Sequence, residues 1–167
     1  MKSRLLASVA VSAAVILGAT GCSIISPQGT TIPYSPSDGI NVPDEQGAPL
    51  LVRNALIVAD EQGTVGNLIA GVVNMTDAAH TLTVQVGEGA NQITEQVQVP
   101  AHAVKSLGVN ADPLRLDGLD VKPGATVPVY FQSGSASGAQ VNVPVLGGDE
   151  SYLTSLVPQQ TEPSHTP

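Results

Sequence analysis

The sequence predicts an all-β fold arranged as a two-layer sandwich, and three observations carry that prediction. Residues 49–153 contain seven short segments of largely apolar or alternating apolar and polar residues, which is typical of strands. Clusters of Gly, Asn, Asp and Pro separate them at intervals of about 8–12 residues. No stretch of useful length carries the apolar spacing of an amphipathic helix.

The first three predicted strands are ended by recognisable turns. Leu50–Val58 is an apolar run that stops at the turn-forming residues 60–63. Asn67–Asn74 follows and is closed by Met75, Thr76 and Asp77. His80–Val86 alternates strictly and would place Leu82, Val84 and Val86 on one face of a sheet.

The remaining four predicted strands complete the sandwich. Gln92–Val99 alternates again, and Ala103–Val109 is the fifth segment. Residues 110–124 contain three Asp, two Pro and two Gly and are predicted to form a loop. Thr126–Gln132 and Ala139–Val145 each place three apolar side chains on one face. About seven such strands indicate an immunoglobulin-like or cupredoxin-like β-sandwich.

Two prolines fall inside predicted strands. Pro128 and Pro144 each lack the N–H that a strand donates to its neighbour. We therefore expect both strands to run along a sheet edge or to contain a bulge at the proline.

The composition excludes nucleic acid as a partner. The chain has 167 residues, 6 Lys and Arg against 14 Asp and Glu, a formal charge of −8 and 2% aromatic residues. Nucleic-acid binding needs cations that neutralise phosphates and aromatic faces that stack on bases.

The N-terminus has the organisation of an export signal. Lys2 and Arg4 precede the mainly apolar run Leu5–Leu17, which is shorter than the roughly 20 residues that a membrane-spanning helix needs. Small residues then lead to Cys22, the only cysteine of the chain. An ordinary secretory signal, with an incidental Cys22, would share the first two features.

Residues 19–22, Ala-Thr-Gly-Cys, resemble the lipobox of bacterial lipoproteins, in which Leu is commoner than Ala at the first position. The resemblance implies cleavage before Cys22 and a diacylglyceryl group on its thiol. Two acyl chains suffice for stable membrane attachment. We therefore expect the protein on the outer face of the bacterial cytoplasmic membrane.

The predicted organisation has four parts: the signal peptide 1–21, the lipid-anchored linker 22–48, the sandwich domain 49–153 and a disordered tail 154–167. Residues 23–48 are rich in Pro, Gly, Ser and Thr, with a Gly39–Val42 stretch that could add a strand to the body. Removal of residues 1–21 takes away two cations and leaves a net charge of −10. Anionic lipid headgroups would repel such a body, which favours a domain held off the surface by its linker.

The sequence contains three candidate ligands for a soft metal, Met75, His80 and His102. Copper-type sites need His, Met or Cys side chains that converge at a fixed geometry. Met75 and His80 flank a predicted hairpin, whereas His102 lies at a strand junction. Because two ligands do not make such a site, we interpret the histidines as solvated loop residues, with no metal site and no cofactor.

No catalytic residue is predicted. Asn110, Asp112, Asp117 and Asp120 crowd one loop, but the spacing differs from that of a twelve-residue calcium loop and favours turn-forming Asp. Residues 134–138, Gly-Ser-Ala-Ser-Gly, have Ala at the centre where a nucleophile elbow has its nucleophile.

Residues 50–147 resemble the periplasmic copper-chaperone (PCuAC-like) sandwich domains. The resemblance rests on Leu68–Asn74 followed by an acidic turn, on Val99-Pro100-Ala101 and on Leu119–Val129. That family binds copper with two groups of His and Met ligands, and the corresponding segments, 88–96 and 113–118, contain neither residue type. The layout of the chain also resembles actinobacterial lipoproteins of the LpqE-like kind, for which the resemblance implies no established chemistry.

These observations predict a non-enzymatic, lipid-anchored module that binds a protein or another envelope component through strand edges or loops, with residues 110–124 favoured. The alternative is a divergent copper- or metal-handling chaperone that uses Met75, His80 or His102. A third alternative, an envelope hydrolase, stays open because Ser, His and Asp residues that are distant in the sequence can converge in the folded protein to form a catalytic triad.

Overall fold

Eight β-strands build the described part of the chain, which is residues 37–159 of the computed structural model. They are β1 Leu50–Ala59, β2 Val65–Asn74, β3 His80–Val86, β4 Ile93–Val99, β5 Ala103–Leu107, β6 Leu114–Asp117, β7 Thr126–Ser133 and β8 Ala139–Leu146. The predicted all-β sandwich is confirmed, and all seven predicted strands are present. Between residues 37 and 159 there is no helix with the length and apolar character of a membrane span.

The chain divides into two units, Met1–Tyr34 and Ser35–Pro167, and the described residues belong to the second. The predicted signal peptide, Cys22 and the first part of the linker therefore lie outside the described residues. So do residues 160–167 of the predicted tail.

The strands follow one path, β4-β3-β7-β8-β1-β2-β5, with β6 paired to β2 beside β5. One layer contains β4, β3, β7 and β8, and the other contains β1, β2, β5 and β6. β8 joins them: residues 139–144 pair with β7 in antiparallel fashion, whereas Val145 and Leu146 pair with β1 in parallel. The sandwich is thus closed along this side by a shared strand.

The period-two pattern places the apolar residues between the layers. Leu82, Val84 and Val86 of β3 are all buried, as the alternation predicts. They belong to one large core cluster that includes β1, β2, β7 and β8. Apart from Phe131, this cluster is made of Val, Leu, Ile and Ala.

The edge prediction is wrong for Pro128, because β7 is paired on both sides, with β3 and β8. It holds for Pro144, because residues 139–144 of β8 pair only with β7 and the parallel pairing with β1 begins at Val145. The carbonyl of Pro128 accepts a hydrogen bond from Gly87 N (2.9 Å), the residue just after β3 ends. Val145 N donates to Ala125 O (2.9 Å), on the β7 side. Since neighbouring residues of a strand point their backbone groups in opposite directions, Pro144 N faces β1 just before the parallel pairing begins. Each proline therefore lies next to the end of a hydrogen-bonded strand pairing: Pro128 beside the last pair of β3 with β7, and Pro144 beside the first pair of β8 with β1.

The prediction of a loop over residues 110–124 is wrong in part. β6, Leu114–Asp117, lies within it and pairs with β2 from Val65 to Leu68. β5 covers only Ala70–Asn74 of β2, so β6 occupies the remaining edge. Leu116 is fully buried there, which supplies the apolar contact that fixes this short strand.

Residues 39–44 of the predicted linker pack on β1. Ile40 and Ala55 exchange two backbone hydrogen bonds of 3.0 and 2.7 Å, and Val42 N donates to Val52 O (3.1 Å). Val42 is buried in the main core. The Gly39–Val42 stretch thus adds extended chain to the body.

The C-terminal segment, residues 153–159, packs on the outer face of the β1–β2 layer. Leu153 is buried in a second cluster with Leu56, Val58 and Ile69. Asn67 Nδ2 donates to Leu156 O (2.8 Å). Residues 154–159, placed in the tail by the sequence, are therefore part of the folded body, because they cover apolar side chains that the sandwich leaves outside its core.

Candidate functional site

The far end of the sandwich, defined by the β2–β3 turn at residues 75–79 and the β4–β5 turn at residues 100–102, contains the three sequence-predicted metal ligands. Met75 is 69% exposed. His102 N donates to Thr76 O (3.2 Å), so the backbone of the β4–β5 turn lies next to that of the β2–β3 turn. His80 is half-buried and begins β3 opposite Val99, so the interpretation of His80 as a solvated loop residue is wrong, whereas His102 is exposed in a turn.

The imidazole of His102 has an acidic partner. Its Nε2 lies 2.8 Å from Asp77 Oδ1, and both side chains are exposed. Within residues 37–159 no three His, Cys, Asp or Glu side chains converge as a metal site would require. The far end therefore offers the exposed thioether of Met75, the exposed imidazole of His102 and the half-buried imidazole of His80, but the described residues form no metal-binding cluster.

The acidic residues of segment 110–124 occupy turns and a strand. Asn110 and Asp120 have positive φ angles of 55° and 51°, a conformation that Asn and Asp tolerate. Asp117 ends β6 and accepts a hydrogen bond from Arg115 Nε (2.9 Å). The segment is thus spread along β2 and around a turn, and it does not form a single projecting loop.

The free edges of the two layers do not favour the addition of another strand. β4 and β5 are the two ends of the strand path and approach each other at only a few residues. Glu95 of β4 pairs with the buried Val84, and the exposed Lys105 of β5 pairs with the buried Val72, so each edge carries a charged residue on the side of the strand that faces the core. Inward-pointing charges are a known protection against edge-to-edge pairing.

A groove lies at the opposite end, where β1 and β8 separate after their short parallel pairing. It consists of two adjoining cavities of about 710 and 440 Å³, which share Pro123, Gly147 and Asp149. We call it the exit groove, because Asp38 and Gln159, near the first and last described residues, both line it. Its size is that of small-molecule and peptide-side-chain pockets.

Gly148 shapes the wall of the exit groove. A Cβ at this position would lie 2.6 Å from Val157 Cγ2. Glycine therefore permits the C-terminal segment to approach the chain just after β8. Thr154 Oγ1 donates to Gly148 O (3.1 Å) and fixes the same contact.

The chemistry of the exit groove changes with depth. Its less exposed lining residues are apolar: Ala59, Pro123, Leu146, Val157 and Pro158. Its exposed lining residues include four carboxylates and one cation: Asp38, Glu61, Asp149, Glu150 and Lys122. The groove thus combines an apolar floor with an acidic rim.

The pKa of Tyr152 is affected by the carboxylates of this rim. Its hydroxyl donates to Asp38 Oδ2 (2.6 Å). This hydrogen bond, followed by burial and by the negative charges of Asp38 and Glu150, raises the pKa of Tyr152 above its ordinary value. Tyr152 is 56% exposed and lines the smaller cavity.

Sequence reasoning missed the exit groove because its residues come from four separate parts of the chain: 38, 59–61, 122–124 and 146–159. The only local signal was the Gly147-Gly148-Asp149-Glu150 run, which stops β8 and places two carboxylates after two small residues.

Comparison with known proteins gives a likeness of fold. No family model matches the chain, and no curated protein matches it. The chain is similar to a copper-bound PCuAC domain from PmoF2, with 16% identity, a TM-score of 0.46, and coverage of 63% of this chain and 99% of that domain. It is also similar to the apo PmoF2 domain (16% identity, TM-score 0.47, 61% and 93% covered) and to an apo PCuAC domain from PmoF1 (13%, 0.47, 64% and 98%). At such identities the similarity concerns the arrangement of strands.

Proposed function

We propose that this protein is a lipid-anchored, extracytoplasmic binding module that engages a partner protein in its exit groove and performs no chemistry on it. The observation that carries the proposal is the groove itself, a concave surface of adequate size on a sandwich whose free edges are guarded by charges. The anchor rests on Cys22 after its export signal.

Photo-crosslinking in intact cells tests whether the exit groove binds a partner protein. A photoreactive amino acid replaces Lys122 in the groove or, as the control, Gln98 on the exposed face of β4. We expect a discrete crosslinked species from position 122 and none from position 98.

The same pair of variants is then made with Cys22→Ala, and Ser23→Ala serves as the matched control for the anchor. Loss of the thiol removes the acylation site, so metabolic fatty-acid labelling should disappear and the protein should leave the membrane fraction. Persistent labelling of Cys22→Ala would refute the anchor. Equal crosslinking from positions 122 and 98 would refute the groove as the binding surface.

A second candidate function, soft-metal handling at the far end, is favoured by one observation. The hydrogen bond from His102 N to Thr76 O places Met75 and His102 on neighbouring backbone segments, with both side chains exposed. Thioether and imidazole are ligands that copper accepts. The protein should then bind Cu(I) against a competing chelator and lose affinity in Met75→Leu and His102→Ala. Binding that neither substitution changes would dispose of this candidate.

A further inference from the structure

The exit groove has the chemistry that long cationic side chains require. Lys and Arg bury an aliphatic stem on apolar surface and keep a charged head at the solvent boundary. Ala59, Val157 and Pro158 offer apolar surface within the groove, while Glu61 and Asp149 stand exposed beside them. One groove therefore provides both environments at the appropriate depths.

The carboxylates of the rim are not neutralised by ion pairs. Among residues 37–159 the salt bridges are Arg53–Asp44, His102–Asp77 and Arg115–Asp117, and none of them involves the groove. Asp38 accepts a hydrogen bond from the neutral Tyr152 hydroxyl. Lys122 is the one cation among the lining residues, and the guanidinium of Arg115 donates to the backbone oxygen of the lining residue Gln159 (3.1 Å). The four carboxylates of the rim therefore still outnumber the neighbouring cations.

We infer that the exit groove binds a Lys- or Arg-rich peptide segment of the partner protein, with the cationic heads at the acidic rim and the aliphatic stems on the apolar floor. This inference rests on the proposed function, which makes the groove a binding surface, and it adds the chemistry of the partner.

Two further features fit this occupant. The ring of the exposed Tyr152 offers a face on which a guanidinium group can stack. The two cavities adjoin through Pro123, Gly147 and Asp149, so successive side chains of one extended segment can occupy them. A compact single cation would use only one of the two.

The test measures binding of a short labelled peptide of alternating Arg and Ser to the full-length protein in mild detergent. A peptide of alternating Glu and Ser is the control ligand, and spermine is the control for a cation without a peptide backbone. We expect binding of the Arg peptide that weakens as salt is raised, no binding of the Glu peptide, and weaker competition by spermine than by unlabelled Arg peptide.

A charge-matched pair of triple variants locates the site. Glu61→Gln, Asp149→Asn and Glu150→Gln together remove three rim charges and should weaken binding roughly tenfold, since each exposed pair contributes modestly. Asp77→Asn, Glu88→Gln and Asp112→Asn remove three exposed carboxylates elsewhere and should change affinity less than twofold. An equal loss in both triples would show a general charge effect and overturn the inference.

Two readouts address the groove directly. A bound cation should bring the pKa of Tyr152 back toward its ordinary value, which is visible in the tyrosinate absorbance, and Tyr152→Phe identifies the signal. Deletion of residues 160–167 should leave peptide affinity within twofold. A gain of tenfold or more would make the chain's own C-terminus the occupant and would overturn the inference.

The outcomes separate this inference from the proposed function. If position 122 crosslinks in cells while the purified protein ignores the Arg peptide, the groove binds a partner of other chemistry. If the peptide binds but position 122 captures nothing in cells, the proposed function fails by itself.

Discussion

Asn74 connects two turns at the far end of the sandwich through its buried side-chain amide. Nδ2 lies 2.8, 2.9 and 3.2 Å from the carbonyl oxygens of Ala78, Pro100 and Val99, so its two protons are shared among three acceptors. Oδ1 accepts from the backbone N (3.0 Å) and the hydroxyl (2.8 Å) of Thr76. One side chain thus fixes the β2–β3 turn against the β4–β5 turn.

Replacing Asn74 with Ala should lower the free energy of unfolding by about 2–3 kcal/mol, because several buried polar groups lose their partners at once. Asn74→Asp keeps the shape but points an acceptor at three carbonyl oxygens, so it should cost at least as much. Urea denaturation followed by circular dichroism measures both.

Asn91→Ala is the control for Asn74, since Asn91 is exposed in the 3-10 turn Gly89–Asn91 and should change stability by less than about 0.5 kcal/mol. Similar values for positions 74 and 91 would contradict the role given to Asn74.

Single strands were predictable where the side-chain pattern was itself sufficient. His80–Val86 alternates without a break, and its predicted bounds coincide with β3. β6 could not be recognised, because Leu114-Arg115-Leu116-Asp117 offers only two apolar residues between a proline and a glycine. Its strand conformation depends on the unoccupied edge of β2, which only the assembled sheet provides.

The C-terminal segment could not be predicted for the same reason as β6: its conformation depends on contacts with residues far away in the sequence. Residues 154–167 were predicted to form a disordered tail, yet Leu156 and Val157 pack against the cluster that contains Leu56, Val58, Ile69 and Leu153. Leu56, Val58 and Ile69 make β1 and β2 apolar on both faces, and this was the one sequence feature indicating that another segment covers the outer face. The exit groove could not be predicted either, because its wall includes this C-terminal segment.

At the scale of the whole molecule, the sandwich is closed on one side by β8, whereas on the other side β4 and β5 are the ends of the strand path and approach each other at only a few residues. No hydrogen-bonded pairing joins β4 to β5 in the described sheet path, so both edges retain unpaired backbone groups. Glu95 and Lys105 lie on the side of these edge strands that faces the core. Their charges must reach water, which an added strand would prevent.

The double variant Glu95→Val, Lys105→Val should therefore associate through these edges. Without the two charges, an incoming strand no longer buries an unpaired ion, and the added valines favour extended chain. Size-exclusion chromatography with light scattering should show dimers or larger species at concentrations where the wild-type protein shows a single smaller mass.

Thr94→Val with Gln98→Val is the matched control for this double variant. Both residues are exposed on β4 and point away from the core, so the substitutions add apolar surface without removing an inward charge. If the control associates as strongly, general hydrophobicity explains the effect. If neither double variant associates, the two charges are not needed to protect the edges, which would contradict the role given to them.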